Sequence, residues 1–217
     1  MNKRKLYIAM ICGILGCICF GGGDWLMIYG NTAHSGNLFW LTEGVAAIPE
    51  WRNTLAMALS FPGIILYGAA LFAMSDFILR EREKRVYKTL TAFGLTPWLC
   101  LHLFYIMIMY LFGWMNTNGY SDIAMSAGKA LYNHFSWIVL VSEVFMLLPF
   151  LYWFWLQFTK KTVFSFTNIL IIYAVFYIIK LLLPDSPFRI GFANGLMSES
   201  MVIWFLVQYL YGIKKVK

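Results

Sequence analysis

One aspartate directly follows three glycines inside an apolar stretch, Gly21-Gly22-Gly23-Asp24-Trp25-Leu26. A carboxylate in lipid costs about 2.5 to 3.5 kcal/mol on insertion scales, so Asp24 needs a protein interior, a partner or a water-filled pocket. The glycines let another helix approach closely, or let the backbone loosen and act as ligand. Other ionisable side chains in apolar stretches are His102, His134, Glu143 and Glu199. Asp24 with Glu143 or Glu199 can serve as acid and base, with His102 or His134 transferring the proton. Asn133, His134, Lys180, Asn194, Ser198 and Glu199 are groups that can bind a ligand alongside Asp24.

The elements that position these residues follow from composition. Of 217 residues 61% are hydrophobic, 19% aromatic and only 12% charged, with a mean hydropathy of +0.69, too little polar surface for a soluble globule. Six apolar stretches approach the roughly 20 residues that a helix needs to span a bilayer. They fall near 6–28, 54–79, 89–114, 131–158, 163–183 and 195–211. The expected fold is a single all-α domain over 1–217, a polytopic membrane bundle of six transmembrane helices.

The net charge of +7 is explained by where the basic residues fall. Lys3 to Lys5, Arg80 to Lys88, Lys160 with Lys161, and Lys214, Lys215 and Lys217 all border the same side of the expected bundle, whereas the other side has only Arg52, Lys129 and Arg189. The positive-inside rule then makes both termini cytoplasmic and the protein a multi-pass protein of the cell membrane. A basic surface facing lipid headgroups implies membrane lipid as a partner and no nucleic acid. The first span is too long for a secretory signal and lacks a small-residue cleavage site, so it reads as a retained helix.

Cys12, Cys17, Cys19 and Cys100 all fall inside spans, with neither disulfide nor zinc spacing. Gly13, Cys17 and Gly21 form a small-residue row suited to close helix contact, including self-association. His34, His102 and His134 lie on three separate segments, which gives no paired-histidine metal motif; no metal site is expected, and the cofactor is left open. The loop 31–53, with His34, Trp40, Glu43, Glu50 and Trp51, is either a connector anchored at the interface or a lid above Asp24. Asp76 and Arg80 have the spacing of a helical ion pair, Arg80 to Lys88 reads as a solvated loop, and Asn116 to Lys129 as a polar loop outside.

In the expected topology, Asp24, Asn133, His134, Lys180, Asn194, Ser198 and Glu199 all lie in the outer half. That depth predicts an outward-opening pocket between spans one, four, five and six, with Glu143 or His102 at its floor. His134 and Glu143 are nine residues apart, and at about 100° per residue they point to opposite faces, so one of the two has another role. Lys180 either extends its amine to the headgroups or pairs with Asp24 or Glu199.

The Gly-Asp-Trp-Leu run, the Trp51-Arg52 pair opening span two, a histidine in span three and six spans in this length resemble a family of uncharacterised bacterial integral membrane proteins. The resemblance implies a six-helix membrane protein and supplies no reaction. Three functions stay open: a pocket that binds or moves a small solute or lipid, an intramembrane lipid-modifying enzyme using Asp24 with Glu143 or Glu199 and a histidine, and a non-catalytic membrane subunit.

Overall fold

A computed structural model describes residues 3–30, 41, 43–163 and 168–215. The elements are α1 (Lys3–Ile28), α2 (Glu43–Ala46), α3 (Glu50–Met74), α4 (Glu81–Thr117), α5 (Ser121–Phe158), α6 (Ile169–Leu182), α7 (Pro187–Val207) and α8 (Ile213–Lys215). A 3-10 turn at Ser75–Phe77 follows α3, and a π-helical stretch at Gln208–Gly212 joins α7 to α8. Among the described residues no strand forms. His34, Trp40 and Lys217 lie outside the described residues, as does the side chain of Glu43.

Among the described residues five helices are long and apolar enough to cross a membrane: α1, α3 with the turn that follows it, α4, α5 and α7 with its extension to Lys215. Where the sixth span is expected lies α6, a shorter apolar helix of 14 residues, about 21 Å long. Ring contacts fix the direction of the chain on either side of it. Trp153, near the end of α5, meets Trp204 of α7 at 5.8 Å, and Phe188, at the start of α7, meets Trp25 near the end of α1 at 5.3 Å. Tyr7 and Tyr209 then touch at 5.0 Å. So α5 ends and α7 begins at opposite ends of the bundle, and Lys3 to Lys5 share an end with Lys214 and Lys215, called the basic end below.

α1 is the central helix, flanked by α3 and α7, while α4 packs on α3 and α5, and α6 on α7. Its glycines make this possible. A Cβ at Gly16 would stand 2.5 Å from the Tyr67 amide nitrogen and 2.8 Å from the Gly63 carbonyl oxygen, so α1 and α3 meet backbone to backbone. In the small-residue row expected on α1, an added Cβ at Gly13 would meet Ala70 of α3 at 2.6 Å and one at Gly21 would meet Ser198 of α7 at 3.2 Å, so the row faces helices of the same chain.

Two loops expected from polarity are helical instead. Residues 81–88 form the first turns of α4, begun by Arg80 in extended conformation, with Glu81 and Glu83 at the helix N-terminus where negative charge is favoured. Residues 121–130 extend α5 outward from a tight turn in which Gly119 adopts φ +86°. Their apolar positions keep helical spacing, and buried Ala124 and Gly128 face the core. The expected Asp76–Arg80 helical pair does not form, because α3 stops at Met74 and Ile78 is extended.

At the basic end, the α3–α4 corner is tied to the α5–α6 corner by an antiparallel bridge, Ile78 to Thr162, and by Lys161 Nζ, 3.2 Å from Glu83 Oε1 and over the Trp155 ring. Above it lies a core of large aromatics, with Phe20, Tyr67, Tyr87, Phe150, Trp153 and Trp204 almost fully buried. The opposite half has its own core of Met27, Ile28, Ile106, Met109 and Phe112, onto which Leu41, Val45 and Ile48 fold back. The described part of the 31–53 segment therefore covers the bundle one helical turn beyond Asp24.

Candidate functional site

The site lies between these two cores. Asp24 is one turn from the end of α1, and His102 lies in α4, between Trp98 of one core and Ile106 of the other. His102 Nδ1 is 3.3 Å from Asp24 Oδ1. The imidazole stands edge-on to Phe20 with ring centroids 4.9 Å apart, and a Cβ at Gly23 would meet its Nε2 at 3.2 Å. The third glycine before Asp24 therefore makes the room in which the histidine fits.

Burial decides which partner meets a ligand. The His102 side chain is 6% exposed and its Nε2 is buried without a hydrogen-bond partner, whereas Asp24 keeps 17% of its side chain accessible. Nδ1 is the ring nitrogen placed to donate to the Asp24 carboxylate, and Nε2 is left without a partner at a cost of about 1–3 kcal/mol. The histidine orients the carboxylate, and the carboxylate presents itself to a cavity.

That cavity holds about 170 Å³ and is lined by Asp24, His102, Tyr105, Asn194 and Ser198, with Trp98, Leu101, Met146 and Met197 as its apolar wall. Asn194 Nδ2 donates to the Asp24 carbonyl oxygen at 3.2 Å, fixing α7 against the end of α1. Drug-sized ligands occupy about 300–1,000 Å³. This space suits a headgroup-sized fragment, a small solute or a few waters. It lies where α5 stands apart from α7, since α5 makes sparse contact with α6 and α7 and its ring contacts with α7, Phe150 and Trp153 on Trp204, are nearer the basic end.

A family model described as Family of unknown function (DUF6796) matches residues 1–215. The chain belongs to this family. Neither a curated protein nor a solved structure matches it. What the site does must accordingly be read from its own atoms.

The remaining expected site residues divide into three groups. Asn194 and Ser198 line the cavity with Asp24. Glu199 lies beside them but turns away: its Oε1 accepts from Trp25 Nε1 at 2.9 Å, and its Oε2 is buried without a partner. Asn133, His134, Glu143 and Lys180 are elsewhere. Asn133 and His134 are exposed on α5, the latter against Phe135. Glu143 is exposed among Leu140, Val141, Val144 and Leu147.

Lys180 Nζ lies over the Tyr177 ring at 5.0 Å, so the alternative pairing with Asp24 or Glu199 is not made. The cavity thus sits between α1, α4 and α7 with one wall from α5, rather than between spans one, four, five and six. His102 is the partner of Asp24 instead of the floor beneath it. Among the described residues no group of three or more His, Cys, Asp or Glu is placed to hold a metal ion.

Two positioning residues escaped the sequence reading. Trp25 packs its ring over Gly191 and Gly195 of α7, where added Cβ atoms would come within 2.6 and 3.1 Å of it. The signal was present as a Gly-x-x-x-Gly spacing, which opens a groove on a helix face. Arg52 donates from Nη2 to the Trp25 and Tyr29 carbonyl oxygens at 3.2 and 2.8 Å, placing a cation at the C-terminal end of α1, where the Trp25 carbonyl also accepts from the Tyr29 N–H at 2.9 Å.

Proposed function

We propose that this chain is a multi-pass protein of the cell membrane, with six crossings and both termini cytoplasmic, that binds the polar group of a small solute or lipid at Asp24. The observation that carries this reading is the accessible Asp24 carboxylate, held by His102 in a cavity with Asn194 and Ser198. An intramembrane carboxylate with accessible surface is costly to keep unless it serves a partner. The end of α5 and the start of α7 at opposite ends of the bundle, and the shared basic end, support the topology, and the Gly-Asp-Trp-Leu resemblance supports a bacterial source.

Binding is favoured over movement of a solute through the bundle and over acid–base catalysis. Toward the basic end the cavity is backed by an aromatic stack, with Tyr67 on Trp98 at 4.6 Å and on Phe205 at 5.9 Å, which puts large rings where a path from Asp24 to that end would run. Acid–base catalysis needs two groups on one reacting centre. Here Glu199 is turned to Trp25, Glu143 is exposed on α5 and His102 Nε2 is buried away from the cavity's accessible surface.

Thermal unfolding of the purified wild type, Asp24→Asn and His102→Gln against a panel of phospholipids, small amines and metal salts tests the reading. A ligand at 100 times its Kd stabilises the native state by about 2.7 kcal/mol. At least one member of the panel should stabilise the wild type and lose that effect in Asp24→Asn. A panel that leaves the wild type unmoved, or stabilises the folded Asn variant equally, contradicts it.

A further inference from the structure

A second cavity, of about 420 Å³, lies between α3 and α4 and is closed on one side by Leu131 of α5. Its wall is apolar, formed by Met57, Met107 and neighbouring aliphatic side chains, and among the described residues that line it none is charged. Its mouth opens at Met107 and Tyr110, which are 58% and 40% exposed. One lining residue does not fit this wall. Asn53 is 6% exposed, and its Oδ1 is fully buried with no hydrogen-bond partner. Thr54 next to it already donates to the Glu50 carbonyl oxygen, so that hydroxyl is used.

A buried amide oxygen left unpaired costs about 1–3 kcal/mol, and the group that removes the penalty must donate a hydrogen bond. An ion in this apolar space would pay a large desolvation penalty with no countercharge to offset it. The donor is therefore a neutral O–H or N–H. Depth adds a direction. Asn53 is in the first turn of α3, beside the exposed ring of Trp51, a residue type suited to the membrane interface, whereas Met57 is one turn deeper. Once the Asn53 amide turns Oδ1 toward the cavity, a molecule with a hydroxyl there would extend its apolar part toward Met57 and Met107, flexible side chains that adapt to irregular shapes.

From these observations we propose that the α3–α4 groove binds a neutral lipid bearing one free hydroxyl, with the hydroxyl at Asn53 and an alkyl chain along Met57 and Met107. This site is independent of Asp24, so either can fail without the other.

The test is photolabelling of the full-length protein in nanodiscs with hexadecanol carrying a mid-chain diazirine, compared with the methyl ether of the same probe. Peptide mapping should place the alcohol's adducts on the groove, at Met57, Met107 or Leu131, with the ether labelling about five- to tenfold less, the worth of one hydrogen bond. Asn53→Leu should abolish that preference. Met107→Trp, which changes an exposed position and so spares folding, should block labelling at the mouth. Equal labelling by alcohol and ether in the wild type, adducts confined to other surfaces, or a preference unchanged by both substitutions overturns the proposal.

Discussion

The cavity at Asp24 and the groove at Asn53 use opposite faces of α4: Trp98, Leu101, His102 and Tyr105 line one, and Ile106, Met107, Tyr110 and Leu111 the other. They differ in volume, about 170 against 420 Å³, and in chemistry. The smaller contains an accessible carboxylate whose partner is provided from within the fold. The larger contains a neutral amide whose partner is not. A charge in lipid has to be paired by the protein itself, whereas a neutral acceptor can be left for a ligand at a cost of about 1–3 kcal/mol. The same helix thus supports a preorganised polar site and an adaptable apolar one.

The comparison breaks most severely where both cavities share a frame. Gly16→Ala forces a Cβ into the α3 backbone, which cannot yield as a side chain can, and should cost about 3 kcal/mol or prevent folding, read by equilibrium unfolding in mixed micelles. Both cavities should be lost together. Next in size is the coupling within the polar site. A double-mutant cycle of Asp24→Asn and His102→Gln should give an interaction energy of about 1–3 kcal/mol, because each partner's loss strands the other in the interior.

The groove should behave in the opposite sense. Asn53→Leu removes an unpaired buried acceptor and should leave the ligand-free protein unchanged or up to about 1 kcal/mol more stable by the same unfolding assay. Loss of stability there would indicate that the amide is already satisfied, and the contrast between the two cavities would disappear. Smallest is Lys180→Gln: its amine lies over Tyr177 and touches neither cavity, so a change within about 0.5 kcal/mol is expected. A larger loss would show that the amine pairs with an acid in the folded protein after all.

How much of this was legible in the sequence depended on what each feature needed to know. Asp24 stands out because its chemistry conflicts with its surroundings, whatever the helix does. Depth along the spans brings Asn194 and Ser198 to the level of Asp24, but it brings Asn133, His134 and Lys180 there equally, and only helix rotation separates them. His102 required helix rotation, which hydrophobicity does not give when a helix is apolar on most sides. Arg80 to Lys88 and Asn116 to Lys129 are polar enough to suggest loops, yet helical spacing prevails over polarity in most of both. Both helices continue past the apolar stretch, which suits a hairpin longer than a bilayer is thick. Trp25 on Gly191 and Gly195 was missed because the small-residue row was sought only on α1. Asn53 had no signal, as an asparagine at the start of an apolar helix reads as interfacial.

The central claim is that the Asp24 cavity can be reached in the folded protein. It is tested most directly by the modification rate of Ser198→Cys by a small methanethiosulfonate reagent, in a background where Cys12, Cys17, Cys19 and Cys100 are replaced by alanine. Ser200→Cys is the control, because Ser200 is buried on the same helix and does not line the cavity. The account predicts that Ser198→Cys reacts far faster than the control, and that rate should fall when a stabilising ligand of the wild type is added. Equal, slow rates at both positions would mean that Asp24 and His102 form a closed internal pair, and the binding site would be contradicted.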